Sequence, residues 1–303
     1  MFRTNADLSH PPTCPCRLHG RRRWLGAAAA VAGTTLLPAA VLAQQQEGVQ
    51  GQVGRRSRFT QLVSAEQIEA AADQQYRQML QEARQKRALA PADNPQVQRL
   101  RAIADRLIPF APAWNGRARQ WRWEVNLLGS KELNAFCMPG GKIAFYWGIL
   151  QRLQLSDAEV AAIMGHEMAH ALREHAREQT GKTAATRIGA DVLTSLLGLG
   201  GLGQAAMGMG AQLLTLKFSR EDETEADVVG LDLAARAGYN PAAAVTLWQK
   251  MMRASQGAPP EFLSTHPASS SRVQDIERTL PRVEALYQRA PKPQREWGPP
   301  AQG

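Results

Sequence analysis

The 303-residue sequence has little cysteine, few histidines and no stripe of basic residues interleaved with aromatic ones. Cys14 and Cys16 lie before an apolar run near the N-terminus, so only Cys137 remains in the body of the chain. No internal disulfide is expected there, and Cys137 is predicted to be a small buried apolar residue rather than a reactive thiol. The net charge is +9, but the basic residues are scattered beside acids. Nucleic-acid binding, which needs a clustered basic surface, is therefore not expected.

Residues 1–43 have the features of an export signal. A basic start at Arg21 to Arg23 precedes an apolar run from Trp24 to Leu42, which ends in small residues at Ala43. Cleavage after Ala43 would deliver the mature protein to the periplasm. The pattern RRRWL also resembles a twin-arginine signal, and the choice between that route and Sec export stays open.

Changes in composition divide the rest of the chain into three segments. Residues 44–94 combine a flexible Gln/Gly/Arg-rich stretch with a helix that begins at Ser64. Residues 95–290 form the main domain. Residues 291–303 are Pro-rich and are expected to be a disordered tail.

Hydrophobic periodicity predicts an α+β fold that is mainly helical. The predicted helices cover about 64–89, 95–108, 156–181 and 220–237, and two short helices flank Pro281. Trp121 to Leu128 alternates apolar and polar residues, as a strand does, and NAFCMPGGKIAFYWGIL predicts a strand, a turn and a second strand. A small sheet is therefore expected just before the helix over 156–181.

The stretch from Val192 to Leu216 has 25 residues without a charge, which is long enough to span a membrane. It also contains six glycines, which a lone spanning helix tolerates poorly. The pattern favours two helix ends joined by an apolar loop, and an integral membrane protease stays open as an alternative.

The sequence HEMAH places His166 and His170 one helical turn apart, with Glu167 beside the first histidine. Zinc needs neutral imidazoles that converge from one side, and residues i and i+4 share a helix face. Glu167 is then in position to take a proton from a zinc-bound water. Only four histidines follow residue 43, and three of them lie on this predicted helix, which argues against a chance match. The third, His175, lies off the ligand face and is expected either to support a ligand or to lie at the surface.

The acidic run DETEAD offers the further ligand that a catalytic zinc site needs. Glu223 and Asp227 share a helix face, whereas Glu225 points elsewhere. We expect Glu223 to bind one Zn²⁺ per chain together with the two histidines. Asp227 is expected to accept the other ring N–H of a ligating histidine and so to fix its tautomer. The alternative is a solvated helix N-terminus, where acids are favoured by the helix dipole.

Four motifs in one order resemble the HtpX and Ste-type CAAX-protease family of zinc metallopeptidases. They are NAFCMPGGKIAFYWGIL, HEMAH, the DETEAD run after FSR, and STHPASSSR, within Gln96 to Leu286. The similarity is greatest to the soluble periplasmic BepA/LoiP-like branch. The chain departs from that branch in having neither the C-terminal helical repeats of BepA nor the lipobox cysteine of LoiP.

The resemblance implies a zincin-like gluzincin domain with Glu167 as catalytic base. It also implies that an extended substrate adds to the sheet near Asn134 and Ala135. His266 would either cover the open metal position or stabilise the oxyanion, with Arg272 beside it. A capping histidine with a structural arginine is the alternative interpretation of this pair.

Two functions from different classes follow from these features. The first is a zinc endopeptidase of the bacterial cell envelope that degrades misfolded or stalled envelope proteins. The second is a non-catalytic, zinc-stabilised, chaperone-like module that binds unfolded envelope proteins. A peripheral membrane contact or a contact with outer-membrane assembly stays open in either case.

Overall fold

The computed structural model describes residues 48–196, 213, 216–254, 261–267 and 269–301, with the backbone alone for 187–196 and 261. The expected export signal and most of the apolar stretch from Val192 to Leu216 lie outside these residues. Within them, none of the helices combines the length and the apolar character that crossing a bilayer requires.

The described residues form a mainly helical structure with one small sheet, as the sequence predicts. The helices are α1 (Ala65–Gln85), α2 (Pro95–Leu107), α3 (Trp147–Leu153), α4 (Asp157–Leu172), α5 (His175–Leu196), α6 (Arg220–Arg236), α7 (Ala243–Ala254), α8 (Glu261–Thr265) and α9 (Ser270–Arg289). The strands are β1 (Glu124–Leu128), β2 (Ala135–Met138) and β3 (Lys142–Tyr146). Short 3-10 turns cover Gln50–Gln52, Arg58–Leu62, Ile108–Ala113 and Gly116–Arg119.

The sheet has the order β1-β3-β2, with β1 parallel and β2 antiparallel to β3. Gly140 and Gly141 both have positive φ, so the Pro-Gly-Gly turn between β2 and β3 suits glycine. The first strand is shorter than expected: its ladder with β3 begins at Glu124, and the rings of Trp121 and Trp123 pack against each other just before it. The helix α1 lies against this sheet, where the Tyr76 hydroxyl donates to the carbonyl oxygen of Ile143 at 2.6 Å.

Helices α4 and α6 cross at two glycines. A Cβ atom on Gly165 would lie 2.9 Å from the carbonyl oxygen of Gly230, and one on Gly230 would lie 2.8 Å from the amide nitrogen of His166. Both neighbours are backbone atoms, so only glycine permits this approach. The crossing brings the HEMAH helix against the helix that carries Glu223 and Asp227.

The predicted single helix over 156–181 is two helices. Ser156 begins α4 with a capping box that includes Glu159, as the sequence predicts. The helix ends at Leu172, because Glu174 adopts a left-handed conformation with φ 64°, and α5 begins at the next residue. The Glu174 carboxylate accepts hydrogen bonds from Arg56 and Arg177, which hold the turn in place.

The prediction of two short helices around Pro281 is also wrong, because α9 is continuous through this proline. Proline removes one helical hydrogen bond, and here both Pro281 and Glu277 are exposed, so water can solvate the freed carbonyl group. After α9, the segment expected to be a disordered tail contacts the start of α4. There the amide groups of Trp297 and Gly298 donate to Asp157.

Candidate metal centre and active site

Four buried side chains converge beside the α4–α6 crossing. His166 and His170 come from α4, Glu223 from the first turn of α6, and His266 from the end of α8. Each offers one ligand atom, and these four atoms lie within 4.8 Å of one another. The i, i+4 spacing of HEMAH therefore has the geometric consequence that the sequence predicts.

The two histidines of α4 face each other through their Nε2 atoms, which are 3.1 Å apart. The Nε2 atom of His170 lies 3.4 Å from Glu223 Oε1, and that of His166 lies 3.6 Å from Glu223 Oε2. The Nδ1 atoms are engaged elsewhere, with Asp227 Oδ1 at 3.0 Å from His166 and His175 Nδ1 at 2.9 Å from His170. Two imidazole nitrogens and the Glu223 carboxylate thus face one point, and this donor set suits zinc.

The charges of these groups also suit a cation. Burial lowers the pKa of His170 well below its usual value, so its ring is neutral, as a metal ligand must be. Burial acts to raise the pKa of Glu223, but His266, His170 and His166 outweigh it and hold that pKa below its usual value. Glu223 is therefore an anion inside a largely buried cluster.

Arg272 connects two acids of α6, Asp227 and Glu223. Its Nε and Nη2 atoms donate to Asp227 at 2.6 and 2.8 Å, and its Nη1 atom lies 2.5 Å from Glu223 Oε2. The guanidinium carbon also lies 3.7 Å from the centre of the Trp248 ring. Burial acts to raise the pKa of Asp227, but Arg272 outweighs it and keeps that pKa low. The carboxylate behind His166 is thus charged and fixed on both sides.

Glu167 is buried on the same turn of α4 and faces the cluster from the other side. Among the described residues its Oε1 atom has no hydrogen-bond partner, and His266 Nε2 lies 3.6 Å from it. Burial raises the pKa of Glu167. An unpaired carboxylate oxygen with a raised pKa is suited to accept a proton from a molecule that enters the site.

His266 lies over the cluster, between the two glutamates. Its Nδ1 atom is 2.8 Å from Glu223 Oε1 and 3.3 Å from His166 Nε2. The ring of Phe262 stacks on it with centroids 4.7 Å apart. Burial acts to lower the pKa of His266, but Glu167 and Glu223 outweigh it and raise that pKa.

A narrow cleft leads to these residues. One wall is β2 with the residues around it, from Asn134 to Pro139, and the other includes Glu167, His170 and His266. Within the described residues β2 pairs only with β3, so its second edge carries no strand. Ala135 is buried and Asn134 is half-buried, with the Asn134 carbonyl oxygen accepting from Tyr146 on the β3 side.

Sequence reasoning missed two features of this site. It gave no role to Gly165 or Gly230, although a glycine inside each helix is a signal of close packing. It left the place of His175 open, and the structure puts this ring against His170. Glu225 points away from the ligand face, as predicted, and its Oε2 atom lies 2.8 Å from His175 Nε2.

Comparisons with known proteins find similar sequences that are named as proteases. The chain is 38% identical to mitochondrial metalloendopeptidase OMA1 of Arabidopsis thaliana over 164 residues, which is 54% of this chain and 33% of that protein. It is 31% identical to metalloprotease LoiP of Escherichia coli K12 over 201 residues, 66% of this chain and 76% of that protein. The Beta-barrel assembly-enhancing protease of Yersinia pestis is 30% identical over 206 residues, 63% of this chain and 41% of that protein.

The chain spans between a third and a half of the length of the OMA1 proteins that it matches first. LoiP and the assembly-enhancing protease represent the branch that the sequence motifs resemble, so that resemblance is confirmed. A family model described as Peptidase family M48 matches residues 94–280. Because that match covers well over half of the sequence and includes the whole candidate site, this chain belongs to Peptidase family M48.

Proposed function

We propose that this chain is a zinc-dependent endopeptidase of the bacterial cell envelope, with His166, His170 and Glu223 as the ligands of one Zn²⁺. The convergence of their three donor atoms beside the unpaired oxygen of Glu167 is the observation that supports this best. Three protein ligands leave one position for water, as catalytic zinc sites require. A zinc ion bound there would supply Lewis acidity, which acidifies water and polarises a peptide carbonyl group.

Glu167 is the proposed general base. Its Oε1 atom would take a proton from the attacking water and then deliver that proton to the nitrogen of the leaving amine. The raised pKa favours this role, because a carboxylate that binds protons more readily is a stronger base.

The edge of β2 near Asn134 and Ala135 is the proposed binding site for the substrate backbone. An extended peptide that pairs with this edge would lie along the cleft, with its scissile bond beside Glu167. Backbone pairing of this kind favours unfolded segments over folded ones, because only they can present free N–H and C=O groups. Misfolded or stalled envelope proteins are the proposed substrates, at the periplasmic side of the membrane.

His266 and Arg272 have different proposed roles. His266 faces the cleft, so its ring can donate a hydrogen bond to the oxyanion that forms when the carbonyl is attacked. Without substrate, its contact with Glu223 would cover the open metal position. Arg272 has hydrogen bonds or ion pairs to Asp227 and Glu223 from three nitrogens, so we assign it to holding these acids in place.

The substitution Glu167→Gln tests the proposed chemistry. Zinc content should stay at one ion per chain, because residue 167 is not a ligand, while cleavage of casein should fall about 10²–10⁴-fold, the contribution typical of a general base. Glu178→Gln is the matched control, since Glu178 forms an ion pair with Lys182 on α5 and belongs to neither the metal ligands nor the cleft.

Two results would contradict the proposal. Casein cleavage by the Glu167→Gln protein at the wild-type rate would remove the proposed base. A zinc-loaded wild-type protein that binds unfolded chains but cleaves none would favour the non-catalytic binding module instead. Carbonate extraction would separately test whether the chain is an integral membrane protein, which would remain in the pellet.

A further inference from the structure

His175 is a buried histidine that the proposed mechanism does not use. Its side chain is 1% exposed, and it lies between a proposed metal ligand and an acid of α6. On one side its Nδ1 atom is 2.9 Å from Nδ1 of His170. On the other side its Nε2 atom is 2.8 Å from Oε2 of Glu225. Because buried polar groups form hydrogen bonds, one of the two atoms in each of these contacts must carry a hydrogen.

The chemistry of the row allows one arrangement of hydrogens when His170 binds a cation through Nε2. The Nδ1 atom of His170 then carries its hydrogen and must donate it to His175 Nδ1, which accepts through a lone pair. His175 in turn carries its hydrogen on Nε2 and donates it to the Glu225 carboxylate. Each contact then has one donor and one acceptor, and both rings are neutral.

The break between α4 and α5 brings His175 into contact with His170. In one continuous helix, residue 175 would point about 140° away from the direction of His170. The left-handed conformation of Glu174 turns the chain, so that the first residue of α5 lies beside the ligand. The Glu225 carboxylate is itself held by Arg173, whose Nη2 atom is 2.8 Å from Oε1. Arg173 Nη2 also donates to the carbonyl oxygen of Gly54 at 2.6 Å.

We propose that His175 is a positioning residue for the metal centre: it accepts the Nδ1–H of His170 and so fixes the tautomer and the ring orientation of that ligand. Glu225 fixes the tautomer of His175 in the same way. The proposal rests on the assignment of His170 as a zinc ligand under the proposed function. Partners behind a metal-binding histidine act in this manner in other metal sites, where their loss costs 10–100-fold in metal affinity.

Two substitutions of similar size separate the hydrogen bond from the packing of the ring. In His175→Asn the side-chain oxygen occupies about the place of Nδ1 and still accepts from His170, whereas His175→Leu fills the space without an acceptor. Zinc affinity is measured by competition with a chromophoric chelator, and circular dichroism verifies that each variant is folded. We expect His175→Leu to bind zinc about 10–100-fold more weakly than wild type. The Asn variant should stay within about threefold, because it retains the acceptor.

Cleavage of casein provides a second measurement. Because His175 does not touch the substrate in this proposal, saturating zinc should restore the kcat of the Leu variant and leave its KM unchanged. The proposal would be overturned if the His175→Leu protein bound zinc as tightly as wild type. It would also be overturned if the His175→Leu and His175→Asn proteins lost zinc affinity to the same extent. These affinities do not depend on cleavage, so a failure of the proposed peptidase activity would be seen separately in the wild-type protein.

A spectroscopic test avoids substitution altogether, should the Leu variant not fold. Two-bond ¹H–¹⁵N correlations of the zinc-loaded wild-type protein report which nitrogen of each histidine ring carries hydrogen. The proposal requires a neutral His175 with hydrogen on Nε2. A hydrogen on Nδ1, or on both nitrogens, would overturn it.

Discussion

The two histidines of HEMAH have different supports behind them. Behind His166 lies a carboxylate, Asp227, whose side chain is 8% exposed and which Arg272 holds through two hydrogen bonds. Behind His170 lies a neutral ring, His175, and the carboxylate comes one residue further out. That carboxylate belongs to Glu225, whose side chain is 21% exposed. Both rows end in an arginine. The carboxylate behind His166 is buried and touches the histidine directly, whereas the carboxylate behind His170 is partly solvated and separated from it by the ring of His175.

This difference predicts unequal contributions to the site. A buried carboxylate in direct contact raises the basicity of its histidine, and its removal deprives the buried Arg272 of one of its two carboxylate partners. A carboxylate that is separated by a ring and partly exposed acts weakly, because distance and water both reduce its field. The His166 side should therefore be sensitive to the loss of charge, and the His170 side to the loss of the intervening ring.

The largest effect is expected where the two sides meet, at Glu223. Glu223→Ala removes the carboxylate that faces both Nε2 atoms, so zinc binding should weaken by more than the roughly 100-fold that the loss of an outer partner costs. Metal analysis of the purified protein after gel filtration measures this. Glu221→Ala is the control, because Glu221 lies exposed on the same turn of α6. If the Glu223→Ala protein still bound one zinc ion per chain, Glu223 would not be a ligand that the two sides share.

The next effect is expected on the His166 side, from Asp227→Asn. Zinc affinity should fall about 10–100-fold. The free energy of unfolding should fall by about 3 kcal/mol, because Arg272 loses a charged partner in the interior. Urea denaturation and chelator competition measure the two quantities.

Asp232→Asn is the matched control for that variant. Asp232 is buried on the same helix and its Oδ1 atom accepts from Arg236 at 2.7 Å, yet it contacts no residue of the metal cluster. Its substitution should leave zinc affinity unchanged. If the two Asn variants bound zinc equally well, the carboxylate behind His166 would have no special role.

The sequence was sufficient to predict the parts of this site that depend on helical periodicity. The spacing of His166 and His170 and that of Glu223 and Asp227 each define one helix face, and the structure brings these faces together. The capping box at Ser156 and the Pro-Gly-Gly turn are equally local, and both are present.

The parts that depend on contacts between distant segments were not predictable in this way. The turn at Glu174 follows no glycine or proline, and ion pairs with Arg56 and Arg177 stabilise it from outside the motif. The support behind His170 therefore could not be identified, because it depends on that turn. The continuity of α9 through Pro281 likewise depends on which side of the helix faces solvent.

The smallest effect is expected from Glu225→Gln, on the His170 side. The amide oxygen of glutamine can still accept from His175 Nε2, so the hydrogen arrangement of the row survives the loss of charge. Arg173 loses its ionic partner but keeps its hydrogen bond to the carbonyl oxygen of Gly54. Zinc affinity should therefore stay within about threefold of wild type, with Glu221→Gln as control. The same competition assay could instead show a loss of zinc affinity as large as that of Asp227→Asn. The negative charge of Glu225 would then act on His170 through the ring of His175, and the two sides of the site would be equivalent.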